Sequence, residues 1–330
     1  MKLNKKQIDA LNIELTIDIE KDDYSEIERK KLAERRRTAD FKGFRKGNVP
    51  ESLIRRVYGE QILAESVNEV VSKGLGDFIE ENKLKVLGEP LNSESQPEVD
   101  WKDGNDFSFV FDIATYPEFA VDVAKTDTVN KYTISASAKD KEEMTGNLKK
   151  YYADRKEEKS DEDIDKEITA RLESEYAQEA EWRLSKDIRD YFVAKTQFDL
   201  PEAFMKRWLY SANGGKVSKE QIEKEFEGFL ADFRWQLVRG ELMRKYGFKV
   251  EQKDVEDAAT AYVSYQYAMY GMGNVPEEII KDSVRNVLSD SKQVDRMVEQ
   301  VEDRKVLDKL KEEITIKTRK ISSDKFRELK

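Results

Sequence analysis

Phe41-Lys42-Gly43-Phe44-Arg45-Lys46-Gly47-Asn48-Val49-Pro50 sets an aromatic ring and two cations between two glycines and closes the run with a proline. Glycine opens backbone angles that other residues avoid, and proline fixes the entry into the next element, so the stretch reads as a tight projecting loop. A buried loop would strand backbone polar groups, which places Phe44 in solvent. The competing reading folds Phe44 back onto its own domain and leaves Arg45 and Lys46 merely solvated.

The charge around this loop weighs on that choice. From Arg29 to Arg56, eleven Lys/Arg are opposed only by Glu34, Asp40 and Glu51, a net of +8 in a chain of −10, which leaves −18 everywhere else. One basic region on an acidic protein implies a localised anionic partner, nucleic acid or a ribonucleoprotein first. Taken alone, Arg35-Arg36-Arg37 can also be one solvated helix face.

Upstream, Leu11, Ile13, Leu15, Ile17 and Ile19 alternate with polar residues, the period of a strand with one wet face. Asp22 or Asp23 can cap a helix that ends in Arg35, Arg36 and Arg37, a polarity that suits the helix dipole. Downstream, Pro50 and Glu51 open a short helix with Leu53, Ile54 and Val57, punctuated by Gly59. An amphipathic helix carrying Ile62, Leu63, Val67, Val70, Val71, Leu75, Phe78 and Ile79 follows. Phe107, Phe109, Phe111 and Ile113 alternate again as a strand, so residues 1–116 read as an α+β domain with the loop at one end.

Residues 117–159 read as an extended connector followed by a helix from Lys141 to Glu157, and 160–330 as a helical domain with arms. The charge run 155–163 lacks apolar anchors and marks a hinge or a solvated junction. A long helix then carries Ile164, Ile168, Leu172, Tyr176, Ala180, Leu184 and Ile188 at every fourth position until Pro201. Helical hairpins come next: 204–210, 217–246, 255–270 and 277–316, broken at Gly214-Gly215, Gly247 and Gly271-Met272-Gly273. Trp208, Tyr210, Phe229, Phe233, Tyr262, Tyr265, Met269, Tyr270 and Met272 are candidates for a partner-facing surface. An aromatic stripe at helical spacing is more often core. Yet Tyr262, Tyr265, Tyr267, Met269 and Tyr270 crowd more than one helix face, so some must face outward.

The 330 residues are 39% charged and 38% apolar, which suits an extended, mostly helical body of two or three domains more than one packed globule. Without cysteine or histidine there is no disulfide, no thiol nucleophile and no imidazole base or ligand. No apolar run is long enough to span a bilayer and Met1–Lys6 lacks a signal-peptide core, so a soluble cytoplasmic protein that engages no membrane is expected. Gly214-Gly215-Lys216-Val217-Ser218 fails the phosphate-loop pattern because Tyr210 and Val217 stand where glycine and serine or threonine belong. Gly271–Pro276 is a helix-breaking turn. No catalytic residue, metal site or cofactor is expected.

Gly43-Phe44-Arg45-Lys46-Gly47-Asn48-Val49-Pro50 resembles the ribosome-docking signature of the bacterial trigger factor family, G-F-R-x-G-x-x-P. The leading strand, the basic helix and the helix after the loop fit as well. The chain from Phe198-Asp199-Leu200-Pro201 onward resembles the family's helical C-terminal region by helix order and length. The resemblance implies that Gly43, Phe44, Arg45, Lys46, Gly47 and Pro50 dock on a large-subunit ribosomal protein at the tunnel exit, with nearby ribosomal RNA adding salt-sensitive attraction. It implies an ATP-independent chaperone for nascent or unfolded polypeptides, able to pair as a homodimer off the ribosome. The family usually inserts a prolyl isomerase domain of the FK506-binding type after the connector. Here the charge run is followed directly by helix, so that domain and its activity are not expected. A prolyl isomerase and an RNA-binding scaffold are the rival readings.

Overall fold

The computed structural model describes residues 1–155 and 157–329; Lys156, within the charge run at 155–163, lies outside the described residues. The chain divides into two compact units. Unit 1 takes Met1–Glu118 and Phe198–Glu227, and unit 2 takes Phe119–Gln197 and Gly228–Lys330.

Unit 1 opens with β1 (Lys2–Gln7), β2 (Asn12–Ile19), α1 (Lys21–Thr38) and α2 (Glu51–Glu81), followed by β3 (Leu91–Asn92) and β4 (Phe107–Ala114). The strands form one antiparallel sheet in the order β1-β2-β4-β3, with Leu15 opposite Phe111 and Ile17 opposite Phe109. Period-2 burial on β2 drives Ile13, Leu15, Ile17 and Ile19 into a core shared with Leu63, Val67, Val71 and Phe78 of α2. Neither β1 nor the two-residue β3 carries enough alternation to be read from sequence.

Two local expectations are corrected here. The cap of α1 is Glu20, in a reciprocal box with Asp23, so Asp23 sits at the third helical position and Asp22 caps nothing. Gly59 does not punctuate, because α2 runs unbroken for 31 residues. A glycine inside a helix costs only about 1 kcal/mol, and flanking packing exceeds that. Val57, in the same helix as Leu53 and Ile54, is exposed.

Unit 2 begins with β5 (Thr128–Ser135), α3 (Ala138–Arg155) and α4 (Asp161–Lys195). The fourfold spacing of Ile164 through Phe192 drifts about 40° per step around a 3.6-residue helix, so the buried stripe spirals and meets successive partners. Its first half packs with Leu148 and Tyr152 of α3. The chain then supplies α5 (Glu202–Ala212) and the first turns of α6 (Lys219–Tyr246) to unit 1. Unit 2 ends with α7 (Gln252–Met269), α8 (Glu277–Leu288), α9 (Ser291–Glu313), β6 (Thr315–Ser322) and α10 (Ser323–Arg327).

The expected single helix over 277–316 is therefore two helices and the start of a strand. Asp290 stops the first and caps the second, its side chain accepting from the Lys292 amide at 2.9 Å. β6 pairs in parallel with β5 along all eight residues, which turns the expected connector into a strand of a two-stranded sheet. That pairing lies nearly two hundred residues away in sequence, beyond any local pattern. The class is as read: an α+β N-terminal region and a mostly helical body with hairpins.

Candidate functional site

Two consecutive turns build the loop. The Phe44 amide donates to the Phe41 carbonyl at 3.0 Å and the Asn48 amide to the Arg45 carbonyl at 2.9 Å. Gly43 and Gly47 stand third in their turns with φ of 95° and 85°, while Lys42 and Lys46 ahead of them keep negative φ. That is the type II pattern, which requires glycine at the third position. The two turns leave Phe44 and Arg45 between them, and Pro50 then caps α2.

A small core anchors the base of the loop. Val49 is fully buried with Leu32, Ala39, Ile54 and Ile62, and Phe41 and Tyr58 pack alongside edge to face. Arg36 donates through Nε to the Val49 carbonyl at 2.8 Å, and the Arg35 guanidinium covers the Tyr58 ring at 4.1 Å. Phe44 remains 43% exposed. The reading in which this ring folds back is thus not what the structure has.

Much of the basic window is already engaged. Arg55 binds Glu28, Glu51 and Asp103 at 3.0–3.1 Å, Lys30 pairs with Glu26, and Lys31 pairs with Glu69. Burial, aided by Asp103, pushes the Glu28 carboxyl up against the opposing pull of Arg55. Arg29, Arg37, Lys42, Arg45, Lys46 and Arg56 have no side-chain ion pair or hydrogen bond among the described residues. Six exposed cations and one ring form the unsatisfied surface of this end of unit 1.

In unit 2, α7, α8 and α9 pack around Ala259, Val263, Val284 and Met297. Tyr262 and Tyr267 belong to the edge of that core; Tyr262 accepts from Gln266, and Tyr267 hydrogen-bonds the Ser283 hydroxyl at 2.9 Å. Tyr270, at the end of α7, lines a groove with Tyr262, Val263, Gln266 and Tyr267, on the side that meets Ser283 and Val287 of α8. Tyr265, Met269, Tyr270 and Met272 are exposed, Tyr270 by 78% and Met269 by 70%. Gly271, at φ 75°, ends the helix in a Schellman turn, its amide donating to Ala268 and the Met272 amide to Tyr267. Residues 258–276 carry no charge at all, nineteen in a row in a chain that is 39% charged. Random placement would not leave so long a gap, and core demand cannot explain it where the side chains are exposed.

The remaining candidates lie on α5 and α6. Trp208 on α5 is half-buried against Gly88, whose φ of 67° and missing Cβ make room for the indole. Tyr210 is exposed beside Lys219. Phe229 and Phe233 of α6 stack at 6.0 Å and are half-buried. Sequence reasoning passed over Trp182 and Ile279, both exposed. Trp182 lies two residues from both Ala180 and Leu184 of the buried stripe, which turns it about 200° to the outer face, a signal available in the sequence.

Among the described residues, no group of acidic side chains is arranged to hold a metal, and no helix is long and apolar enough to cross a membrane.

Comparison with known proteins covers most of the chain. Residues 1–148 match the family described as bacterial trigger factor protein, and residues 180–330 match the probable trigger factor C-terminal domain. Trigger factors of Francisella tularensis subsp. holarctica (strain LVS) and Tolumonas auensis are 25% and 28% identical over 153 residues, 46% of this chain and 34% of each of theirs. That of Coxiella burnetii (strain CbuK_Q154) is 26% identical over 152 residues. This chain spans about a third of the length of these relatives (34%). A solved trigger factor chaperone, described for promiscuous substrate recognition in folding and assembly activities, shares the fold with a TM-score of 0.52 at 12% identity, over 95% of this chain and 100% of that one. Between the two matched segments, the described residues form the end of α3 and the start of α4.

Proposed function

Because this chain belongs to the trigger factor family, we propose that it is an ATP-independent chaperone that docks on the large ribosomal subunit and shields emerging or unfolded polypeptides. The observation that carries the proposal is the pair of glycine turns presenting Phe44 and Arg45 together. A partly desolvated ring anchors, a planar guanidinium recognises carboxylate or phosphate, and Lys46 adds a mobile charge. The contacts would fall on a ribosomal protein at the tunnel exit, with Arg29, Arg37, Lys42 and Arg56 reaching nearby ribosomal RNA.

The uncharged tip around Tyr265, Met269, Tyr270 and Met272 would hold the client. Covering one apolar side chain contributes about 1–2 kcal/mol, so a few contacts bind an unfolded segment weakly and reversibly without nucleotide. Unbranched Met and amphipathic Tyr adapt to many sequences. Tyr210, Trp208, Phe229 and Phe233 would contribute only through their exposed edges. Off the ribosome the same tip would let two protomers pair, in the cytoplasm. We also propose that the chain acts without prolyl isomerase activity, since helices α3 and α4 occupy the interval between the two family segments.

The test is co-sedimentation with ribosomes, comparing wild type with Phe44→Ala and with Arg45→Ala/Lys46→Ala. Both variants are expected to lose docking. Unchanged binding by Phe44→Ala, with binding to naked RNA that tracks total positive charge, would instead identify an RNA-binding scaffold. Client protection is tested separately with Tyr265→Ser/Met269→Ser/Tyr270→Ser, which is expected to lose protection of an aggregating client while still docking.

A further inference from the structure

We propose that Met269 and Met272 form an oxidation switch, at which a hydroperoxide converts the client-binding tip to a polar, low-affinity state. The inference rests on the client reading of that tip and adds its regulation.

The chain has seven methionines and no cysteine, so no thiol competes for a two-electron oxidant. Accessibility then decides which sulfur reacts. Met205, Met243 and Met297 are buried, and Met144 is half-buried against the core of α3 and α4. Met1 is partly exposed as a residue, yet its sulfur lies 2.7 Å from where a Cβ on Gly74 would stand, which turns it inward against α2. Met269 and Met272 remain, 70% and 55% exposed, three residues apart across the Schellman turn.

The step balances without a cofactor. A sulfur lone pair attacks one peroxide oxygen and the O–O bond breaks. That oxygen stays on sulfur as the sulfoxide, and the other leaves as water after taking up the proton. Sulfur loses two electrons and peroxide gains them. The product is a strong dipole on a side chain in a stretch of sequence, residues 258–276, that carries no charge. A client would have to desolvate that dipole to regain its apolar contact. The backbone is not disturbed, because the turn is closed by main-chain bonds alone and neither methionine belongs to the tip's small core of Ala259, Val263, Val284 and Met297. Oxidation therefore alters affinity and leaves the fold standing, and sulfoxide reductases can reverse it.

The experiment treats the full chain with limiting hydrogen peroxide, maps oxygen uptake by peptide mass, and measures binding of a labelled, permanently unfolded polypeptide before and after. Met269 and Met272 are expected to take up oxygen first. Client affinity should then fall roughly three- to tenfold with an unchanged thermal melt. Treatment with methionine sulfoxide reductases of both epimer specificities should restore it. In Met269→Leu/Met272→Leu, whatever its starting affinity, the same dose should leave binding as it was. Oxidation appearing first at Trp182 or at another methionine overturns the proposal, as does an equal loss in the double leucine variant. If binding survives oxidation while Tyr265→Ser/Met269→Ser/Tyr270→Ser abolishes it, the switch is wrong and the client surface stands. If the serine variant binds as wild type does, the client surface itself is wrong and the switch falls with it.

Discussion

Replacing Gly43 and Gly47 with alanine tests whether the docking loop works because it is prebuilt. No heavy atom lies within 4 Å of an added Cβ at either site, so the substitutions create no clash, and their whole effect comes from φ of 95° and 85°. An alanine held there costs about 1–2 kcal/mol. Each turn is closed by one exposed backbone hydrogen bond worth about 1 kcal/mol net, so the strain matches or exceeds what holds the turn. The turn opens, and only the fraction still closed can dock. The apparent Kd should rise about fivefold for one substitution and about thirtyfold for both. Global stability should barely change, because Val49 stays buried and tied to Arg36 outside the substituted turns. Ribosome co-sedimentation reads the first quantity and a thermal melt the second. Gly76→Ala is the control: an exposed helical site in α2 with nothing within 4 Å, it should gain about 0.5–1 kcal/mol of stability and leave docking alone. Docking by the double alanine variant indistinguishable from wild type would show that the glycines do not organise the contact.

Two buried carboxylates should respond to pH with opposite signs. Burial alone would raise Asp140, but hydrogen bonds from Ser323 and Ser137 outweigh it and hold the carboxyl far below its ordinary range, with Arg327 at 2.9 Å. A depressed folded value contributes stability above the ordinary value of about 4 that is lost as pH falls through the folded one. Asp140→Ala should therefore cost about 2–4 kcal/mol at neutral pH, read as lost amide protection along β6. Glu28 is raised by burial, so its ionised form is a net cost at neutral pH and its contribution is lost as pH rises through the folded value. Glu28→Gln should gain up to about 1 kcal/mol in denaturant titrations near pH 7, with the gain vanishing near pH 4.

What could be read in advance was local. The alternation of Ile13 through Ile19, the glycine spacing around Phe44 and the fourfold stripe of α4 each carry their meaning within a few turns of chain, and the structure has all three. The errors share one cause, which is that distant packing outweighs local preference. Gly59 ends nothing because α2 is clamped along its length, including by Arg55 to Glu28 and Asp103. The expected helix over 277–316 overruns the start of β6, whose pairing with β5 is not local. At the tip, composition named Tyr265, Met269 and Tyr270. Separating them from Tyr262 and Tyr267 required knowing which face α8 and α9 cover. The missing clue was the charge gap itself.

The two candidate surfaces place opposite physical demands on one chain, and the charge distribution meets both. A docking loop for an anionic particle needs cations that nothing internal has neutralised, and six of the eleven in the window have that property. An apolar client surface needs the reverse, a stretch where no charge must be desolvated when a client arrives, and residues 258–276 provide it. Placed side by side, each would spoil the other, since cations beside Tyr270 would recruit RNA to the tip. Separated in sequence, they share a chain whose residues outside the basic window sum to −18, a charge that repels polyanions. Under the proposed client reading, release needs no fuel. Contacts worth about 1–2 kcal/mol each are broken by thermal motion, and a client that buries its own apolar groups on folding no longer offers the other half of the contact.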